Sequence, residues 1–199
     1  MNESLYEARN SIYCYDGTDV LVNYLEIKDN KTLQKAERKL VLAKLYELRQ
    51  NKMVGNFDLD HFLGIHKYLF EDIYPFAGKI RRENISKGFF TFAEWEYIED
   101  ELKKLLTDLK NENYLKGLDR EVFVKRLVYY MAELNVLHPF RDGNGRTIRE
   151  FIRELAYRNG YLLDITGIDS KELLQACMIS IVDTDHLEKL FNECIKEEE

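Results

Sequence analysis

Two stretches with the apolar spacing of an α-helix flank a short polar segment, and this arrangement constrains the fold more than any other feature of the chain. In the upstream stretch, apolar residues recur at helical steps, at Phe123, Leu127, Met131 and Leu134. The same spacing returns downstream at Ile148, Phe151, Ile152, Leu155 and Ala156, and it ends at the helix-terminating pair Asn159-Gly160. The sequence therefore predicts a helix over 122–137, a tight loop and a second helix from 148.

Helical spacing also dominates the rest of the chain. Only Pro75 and Pro139 interrupt the 199 residues, and 45% of the residues are hydrophobic, which is enough for one domain with a sizeable core. Further helices are predicted over 32–49, 58–70 and 94–109, from 170, and over 185–195, with Asp58 as an N-cap. We therefore expect a mostly α, single domain over 1–199, with a loosely packed N-terminal arm (1–15), C-terminal packing helices (170–199) and frayed residues at 196–199.

The predicted helices also indicate which side chains face the core. On the helix over 32–49 the apolar residues that share one side are Leu33, Ala36, Leu40, Ala43 and Leu48. Lys44 and Glu47 are expected on the opposite, solvated side. On the helix over 58–70, His66 lies among apolar positions, and we interpret it as a hydrogen-bonded core histidine and not as a metal ligand.

Residues 79–92 do not follow the helical spacing. Residues that favour β-structure lie on both sides of a turn signal at Lys87-Gly88. The segment predicts a short β-hairpin. Taken alone, it is most simply a surface hairpin with a few aromatic side chains packed against the domain.

Charge and cysteine content exclude several classes of protein. The formal net charge is −7 and no basic stripe occurs, which argues against binding to nucleic acid or to a membrane surface. No apolar run approaches transmembrane length, and no N-terminal signal peptide is recognisable. The cysteines Cys14, Cys177 and Cys194 are scattered, which is typical of reduced thiols and not of a disulfide framework or a zinc site. We therefore expect a cytoplasmic protein.

The polar loop combines an anion-binding backbone with two arginines. Gly143, Asn144 and Gly145 lead into the first turn of the downstream helix, where unpaired N–H groups and the helix dipole attract anions. Glycine also lets the backbone form a concave nest. Arg146 and Arg149 share one side of this helix, and guanidinium forks suit phosphate oxygens. The loop is therefore a candidate site for a phosphate chain.

An acid and a histidine complete the loop. Asp142 could hold Mg²⁺, because this ion usually takes one or two protein carboxylates together with phosphate oxygens. His138, at the end of the first helix, could accept a proton from an incoming hydroxyl, because its unperturbed pKa lies near neutrality. Each feature alone has a simpler interpretation as a helix end, a turn or a solvated pair of charges. Their convergence on one short loop is what favours a phosphate site.

The segment His138–Arg149 resembles the signature of the Fic family, His-Pro-Phe-x-Asp/Glu-Gly-Asn-Gly-Arg-x-x-Arg, at every fixed position. The resemblance extends from about residue 13, through Tyr74-Pro75-Phe76-Ala77-Gly78, to the end of the chain. It implies the Fic fold, a compact helical bundle with a short β-hairpin flap near the active site. It also implies a protein adenylyltransferase, which transfers AMP from ATP to a Tyr, Ser or Thr hydroxyl of a target protein and to itself.

The resemblance implies a role for each residue of the motif. His138 is the general base for the target hydroxyl, Asp142 holds Mg²⁺ and Phe140 is a buried anchor. The ATP phosphates are held by Gly143, Asn144, Gly145, Arg146 and Arg149. Glycine at position 145 favours AMP transfer over the chemistry of the kinase-like Doc branch, which carries lysine near this position.

The hairpin also acquires a role from the resemblance. In Fic proteins this hairpin, the flap, clamps a segment of the target by strand-like main-chain pairing. The residues implied to bind the target are Ile85, Ser86, Lys87, Gly88 and Phe89. Because such pairing uses main-chain groups, these side chains do not indicate which protein is the target.

Regulation is where the sequence departs from the family pattern. Fic enzymes are commonly inhibited by a helix with a Ser/Thr-x-x-x-Glu-Gly/Asn motif, whose glutamate pairs with the arginine equivalent to Arg149. The segment 184–188 fits the first five positions, but Lys189 follows. In the segment 32–36, Ala36 stands where the glutamate would be. We therefore expect no effective inhibition from within the chain: either a small antitoxin protein supplies the glutamate, or the enzyme is active unaided.

Two alternatives to AMP transfer remain open. The first is a toxin-type nucleotide-binding module whose role is to be held by an antitoxin, although the intact His138, Asp142 and Arg149 argue against it. The second is transfer of a different group, such as phosphate, UMP or phosphocholine, by the same loop.

Overall fold

The computed structural model describes residues 11–51, 55–87, 90–180 and 182–198. Within these ranges the chain forms seven α-helices: α1 (Asn30–Asn51), α2 (Leu59–Phe70), α3 (Trp95–Asn111), α4 (Arg120–Leu137), α5 (Asn144–Arg158), α6 (Ser170–Ile179) and α7 (Asp185–Cys194). The strands are β1 (Ser86–Lys87), β2 (Phe90–Thr91), β3 (Tyr161–Leu163) and β4 (Ile195–Glu197). The prediction of a mostly α fold with a short hairpin is confirmed.

Helices α4 and α5 form the centre of the molecule. α4 packs against α3, α5 and α7, and α5 also packs against α2. Their fully buried side chains include Phe123, Leu127, Leu134, Ile148, Phe151 and Leu155. Burying an aliphatic or aromatic side chain of this size stabilises the fold by about 1.5–3 kcal/mol. The core therefore fixes both helix ends that flank the polar loop.

Side-chain caps set the starts of three helices. The carboxylate of Asp58 accepts from the N–H of His61 at 2.9 Å and starts α2, as predicted. Asp119 accepts from the N–H of Val122 at 3.0 Å and starts α4, and Asp169 caps α6 in the same way. Such a cap typically contributes about 1 kcal/mol, because it satisfies a donor that has no partner inside the helix.

Helix α1 turns a different side to the core from the one predicted. Leu40 is 39% exposed and Ala43 is also exposed, so the prediction for these two residues was wrong. The buried positions are Leu33, Glu37, Val41 and Leu48. The prediction used apolar residues alone and therefore placed Glu37 outside the buried side of the helix. A glutamate is buried only when it has a partner, and the partner of Glu37 is distant in sequence.

The predicted hairpin is present as an antiparallel pair. Ser86 lies opposite Thr91, and Lys87 lies opposite Phe90. Gly88 and Phe89, which connect the two strands, lie outside the described residues.

A second two-stranded sheet was not predicted. β3 pairs with β4 in antiparallel register, with Tyr161 opposite Glu197 and Leu163 opposite Ile195. The expected fraying at residues 196–197 is therefore wrong, and the N–H of Glu198 also bonds to the main-chain oxygen of Gly160 at 2.8 Å. Three-residue strands whose partners are distant in sequence leave no local pattern to detect.

The described part of the predicted N-terminal arm, residues 11–15, is attached to the domain and is not loose. The Ser11 hydroxyl donates to the Glu83 carboxylate at 2.8 Å, and the Tyr13 hydroxyl accepts from the N–H of Arg82 at 2.9 Å. These bonds tie the arm to the segment that leads into the flap. Among the described helices, none combines the length and the apolar character needed to cross a bilayer.

Candidate active site

His138 follows α4 directly and ends it in a left-handed backbone conformation. Its φ is 45° and its ψ is 60°, while its N–H still donates to the main-chain oxygen of Leu134 at 3.0 Å. A residue with a side chain pays roughly 1–2 kcal/mol for this conformation, and such strain concentrates at functional sites. The turn directs the chain from α4 into the polar loop.

The imidazole of His138 is held in its neutral form. Nδ1 lies 3.2 Å from the main-chain oxygen of Asn135, and a carbonyl oxygen can only accept, so Nδ1 carries the proton and Nε2 the lone pair. Burial lowers the pKa of His138 to about 3, and the charges of Arg81 and Lys87 act in the same direction. The ring is therefore uncharged near neutral pH, with Nε2 as the nitrogen that can accept a proton.

Two residues next to the flap hold His138 from the other side. The ring of Phe92 stacks on the imidazole, with 3.8 Å between ring centroids and 21° between planes. Arg81 is fully buried and donates to four main-chain oxygens, those of Glu83 (2.7 Å), Ala93 (2.6 Å), Leu137 (3.3 Å) and His138 (2.9 Å). A buried guanidinium needs such partners. Arg81 thereby joins the flap to the end of α4.

Phe140 and Asn144 brace the loop. Phe140 is fully buried and its ring stacks on His66 at 3.7 Å between centroids. The side chain of Asn144 accepts from the N–H of Phe140 at 2.8 Å and donates to its main-chain oxygen at 2.7 Å. The Asn144 side chain is therefore occupied in holding the loop, and its main-chain N–H is the group available to a phosphate.

His66 is a hydrogen-bonded core histidine, as predicted. Its Nδ1 accepts from the N–H of Gly78 at 2.8 Å, so its Nε2 is the donor to the main-chain oxygen of Asp142 at 2.9 Å. Complete burial lowers the pKa of His66 to about 3, which keeps the ring neutral. With both ring nitrogens occupied, His66 supports the loop from beneath.

Helix α5 begins without a side-chain cap. Gly143 occupies the N-cap position with φ of 81°. The first N–H groups of α5, from Asn144 to Arg146, have no acceptor within the helix, and the positive end of the helix dipole lies there. An uncapped helix start that follows a glycine is suited to bind an anion such as a phosphate group.

Asp142 lies at the edge of this helix start. One carboxylate oxygen accepts from the N–H of Gly143 at 2.5 Å and lies 3.5 Å from Nη2 of Arg146. Burial raises the pKa of Asp142 to about 6, the charge of Glu37 adds to this effect, and Arg146 opposes it. The described residues hold no cluster of three or more potential metal ligands. A single carboxylate fits a Mg²⁺ ion whose other ligands are phosphate oxygens and water.

Arg146 is paired with a residue that the motif does not contain. Its Nη1 forms an ion pair with Glu37 of α1, and its guanidinium lies over the ring of Phe70 at 4.7 Å. The same Glu37 carboxylate accepts from the hydroxyl of Tyr74. Glu37 is 7% exposed and Tyr74 is 2% exposed, whereas the Arg146 side chain is 24% exposed, so the ion pair is shielded from water on the side of the carboxylate.

The structure brings Arg146 and Arg149 into the wall of one cavity of about 80 Å³, between α1, α5 and the segment after β3. The arginines in this wall are Arg49, Arg146, Arg149 and Arg153. Glu150, fully buried, pairs with Arg153 at 2.6 Å and with Arg49 at 3.4 Å, and Asp164 is the other acid of the wall. With four guanidiniums against two carboxylates, the wall is positive and suited to anions.

The flap candidates that the structure describes lie beside His138. Ser86 and Lys87 form β1, and Ile85 is buried with its main-chain oxygen accepting from the N–H of Phe92 at 3.3 Å. Because Phe92 stacks on His138, the end of the hairpin nearest the domain is in contact with the imidazole.

Comparison with known proteins decides the family. The Fic/DOC family profile matches residues 56–156, a range that contains α2, the hairpin, α3, α4 and the motif. The chain belongs to the Fic/DOC family.

Relatives within the Fic family carry names that state an activity. The protein adenylyltransferase VbhT of Bartonella schoenbuchensis is 42% identical over 88% of this chain, which spans 37% of the length of that protein. A probable protein adenylyltransferase Fic of Escherichia coli is 34% identical over 99% of this chain and 98% of that protein.

Solved Fic structures have the same fold. The crystal structure of the BepC protein of Bartonella tribocorum, with bound AMPPNP, superposes with a TM-score of 0.89 at 27% identity, covering 94% of this chain and 97% of that one. The N-terminal Fic domain of a Bartonella quintana effector, with bound ADP, gives a TM-score of 0.90 at 26% identity, covering 94% and 95%.

The sequence predicted the residues of the Fic motif but not four residues that surround the motif in the structure. Glu37, Tyr74, Arg81 and Phe92 lie outside the motif and contact it only through the tertiary fold. A buried charge is the signal that could have revealed Glu37 and Arg81, but burial depends on partners far away in the chain.

Proposed function

We propose that this Fic protein is an adenylyltransferase that transfers AMP from ATP to a Tyr, Ser or Thr hydroxyl of a target protein, and to hydroxyls of its own. The observation that carries the proposal is the position of the neutral His138 imidazole, one short loop away from the uncapped start of α5 and its arginine-lined cavity. A base beside an anion site is what transfer of a nucleotidyl group to an alcohol requires. The names of the relatives agree with this activity.

In the proposed reaction the target hydroxyl oxygen attacks the α-phosphorus of ATP. An O–P bond forms, the bond from the α-phosphorus to the bridging oxygen breaks, and pyrophosphate leaves. Nε2 of His138 takes the hydroxyl proton, because Nδ1 is already protonated and faces Asn135. The stacked ring of Phe92 keeps the imidazole oriented.

The phosphate chain is held by groups that are already in place before ATP binds. The N–H groups at the start of α5, around Gly143, Asn144 and Gly145, face the phosphates nearest the base. Arg146 and then Arg149, one turn further along the helix, neutralise the outer phosphates. Because the helix dipole and the Arg146 guanidinium are already ordered, little reorganisation of these groups is needed in the transition state.

Asp142 would hold Mg²⁺ together with the phosphates. Its single carboxylate, at the start of α5, fits an ion that takes its other ligands from phosphate oxygens and water. When bound, Mg²⁺ would neutralise phosphate charge and favour the ionised form of Asp142.

The flap would position the target. An extended target segment would pair with main-chain groups of Ser86 and Lys87, with Ile85 anchoring the hairpin in the core. Phe92, the residue after β2, stacks on the His138 imidazole, which supports a position of the bound target next to the proposed base.

The test is transfer of label from α-labelled ATP to protein, with the purified chain alone and with cell lysate. Wild type is expected to transfer label, whereas His138→Ala should lose transfer and keep most of its ATP affinity. His186→Ala, at a partly exposed histidine of α7, is the matched control and should behave as wild type. Label on protein in His138→Ala would show that another group is the base.

The same assay separates the alternatives. Label from γ-labelled ATP would indicate phosphate transfer, and a mass gain other than that of AMP would indicate a different group. ATP binding without any transfer would favour a module that functions by being bound.

We also propose that inhibition, where it occurs, comes from a separate small antitoxin protein in the cytoplasm. The basis is that no segment completes the inhibitory motif. In 32–36 the glutamate position holds Ala36, and 184–188 is followed by Lys189 where the motif has Gly or Asn. Full activity of the pure chain, with no component of the lysate that suppresses it, would count against an antitoxin.

A further inference from the structure

We infer that Glu37 is a positioning residue for the nucleotide site, because it holds the Arg146 guanidinium in the orientation that receives phosphate. The inference rests on the proposed function, in which Arg146 binds ATP. It adds a residue of α1, outside the motif and outside the family match at 56–156, to the machinery of the loop.

The contacts of Glu37 are specific. One carboxylate oxygen is paired with Nη1 of Arg146, and the other accepts from the hydroxyl of Tyr74. Each oxygen therefore has its own partner, as a buried carboxylate requires. Burial, together with the negative charge of Glu37, raises the pKa of Tyr74, so its hydroxyl remains a donor.

Tyr74, the second partner of Glu37, is itself held in place by packing. Tyr74 stacks on Phe76 with 4.7 Å between centroids, and both rings are buried. Glu37 cannot follow Arg146 outward without leaving the Tyr74 hydroxyl unpaired in the core, which is unfavourable. The carboxylate is therefore a fixed support and not a mobile counter-ion.

Arg146 is consequently restrained on three sides. Glu37 holds Nη1, the ring of Phe70 lies 4.7 Å from the guanidinium carbon, and Nη2 lies 3.5 Å from Asp142. An arginine loses much rotational freedom when it binds a ligand, and a side chain that is already ordered loses less. Pre-orientation by Glu37 should therefore appear as tighter ATP binding.

The alternative role for the same contact is competition, in which Glu37 occupies Arg146 and must be displaced by phosphate. The geometry favours support, because Glu37 takes only one edge of the guanidinium and is anchored to Tyr74 behind it. The two roles predict opposite changes in ATP affinity when the charge of Glu37 is removed.

The test compares Glu37→Gln with wild type by calorimetric titration with ATP·Mg and by steady-state transfer. Glutamine keeps the shape of glutamate and one of its two acceptor oxygens but removes its charge, and equal Tm values of variant and wild type check that the fold is retained. We expect roughly a tenfold higher Kd and KM for ATP, with kcat changed less than threefold, since charge-assisted hydrogen bonds are about twice as strong as neutral ones. An ATP affinity that is unchanged or increased would overturn the inference.

Glu47→Gln is the matched control. Glu47 lies on the same helix and accepts from the Tyr68 hydroxyl at 3.1 Å, but it is exposed. It should leave Kd, KM and kcat as in wild type. Equal losses in both variants would indicate a general effect on α1 and would also overturn the inference.

A double-mutant cycle with Arg146→Ala shows whether Glu37 acts through Arg146. In the Arg146→Ala background, Glu37→Gln should have almost no further effect on ATP affinity, whereas a second tenfold loss would show independent action and refute positioning. The outcome is separable from the proposed function. Wild type that binds ATP but transfers nothing refutes AMP transfer alone, and wild type that binds no ATP refutes both.

Discussion

Gly143 is the position in the loop where one added methyl group should have the largest measurable cost. Its φ is +81°, and a Cβ atom there would lie 2.5 Å from Cε2 and Cζ of Phe70 and 3.1 Å from Nε2 of His66. Both neighbours are fully buried, so neither ring can move into solvent. Gly143→Ala therefore combines backbone strain with overpacking of the core.

The two costs can be separated. Left-handed backbone costs a residue with a side chain about 1–2 kcal/mol, and overpacking of a dense core typically costs about 1–3 kcal/mol. Gly160, with φ of +80°, has no heavy atom within 4 Å of a Cβ atom, so Gly160→Ala should show the strain alone. We expect Gly143→Ala to lose about 2–5 kcal/mol of unfolding free energy, and Gly160→Ala about 1–2 kcal/mol.

Urea unfolding of both variants and of wild type gives these differences, read from the midpoints at an unchanged m-value. The two variants should differ in Tm by roughly 2–12 °C, since 1 kcal/mol corresponds to about 2–4 °C in a domain of this size. If Gly143→Ala were as stable as Gly160→Ala, the close approach of the loop to Phe70 would be refuted.

Three further predictions concern the loop and the flap. Gly145→Ala, whose Cβ would lie 2.9 Å from Nη1 of Arg149, should weaken ATP binding without loss of Tm, because only a flexible guanidinium has to move. Burial lowers the pKa of His138 from 6.5 to about 3, so the unfolded chain binds a proton below about pH 6.5 that the folded chain does not. The free energy of unfolding should therefore decrease as the pH is lowered. His138→Gln should reduce that decrease by about 2 kcal/mol between about pH 7 and about pH 5 in urea titrations, whereas the same pH dependence in variant and wild type would contradict the lowered pKa. Arg81→Met should cost at least about 3 kcal/mol of unfolding free energy, and Arg82→Met, at an exposed arginine, should cost little; similar urea midpoints would contradict the role of Arg81.

The features that the sequence predicted correctly are those encoded over short distances. The spacing of Phe123, Leu127 and Leu134 is sufficient to predict α4, because a helix repeats within a few residues. The loop from His138 to Arg149 was likewise visible, because its residues are contiguous. The N-cap at Asp58 required only its neighbours.

The features that were missed depend on partners brought together by the fold. Glu37 looks like a solvated acid until α1 packs near the start of α5, and Arg81 looks like a surface arginine until four carbonyl oxygens converge on it. The pairing of β3 with β4 joins short segments on either side of α6 and α7. In each case the favourable energy comes from a contact that no local pattern records.

The four carbonyl oxygens bound by Arg81 belong to two parts of the site that the proposed reaction would bring into register. Two, from Glu83 and Ala93, lie on the segments that enter and leave the hairpin, and two, from Leu137 and His138, belong to the peptide groups on either side of the proposed base. A planar guanidinium is stiff. If a bound polypeptide shifts the hairpin, either the His138 imidazole must shift with it or one of the Arg81 hydrogen bonds must break. In the proposed reaction, the position in which a target binds to the hairpin would then directly affect the position of the imidazole that activates its hydroxyl.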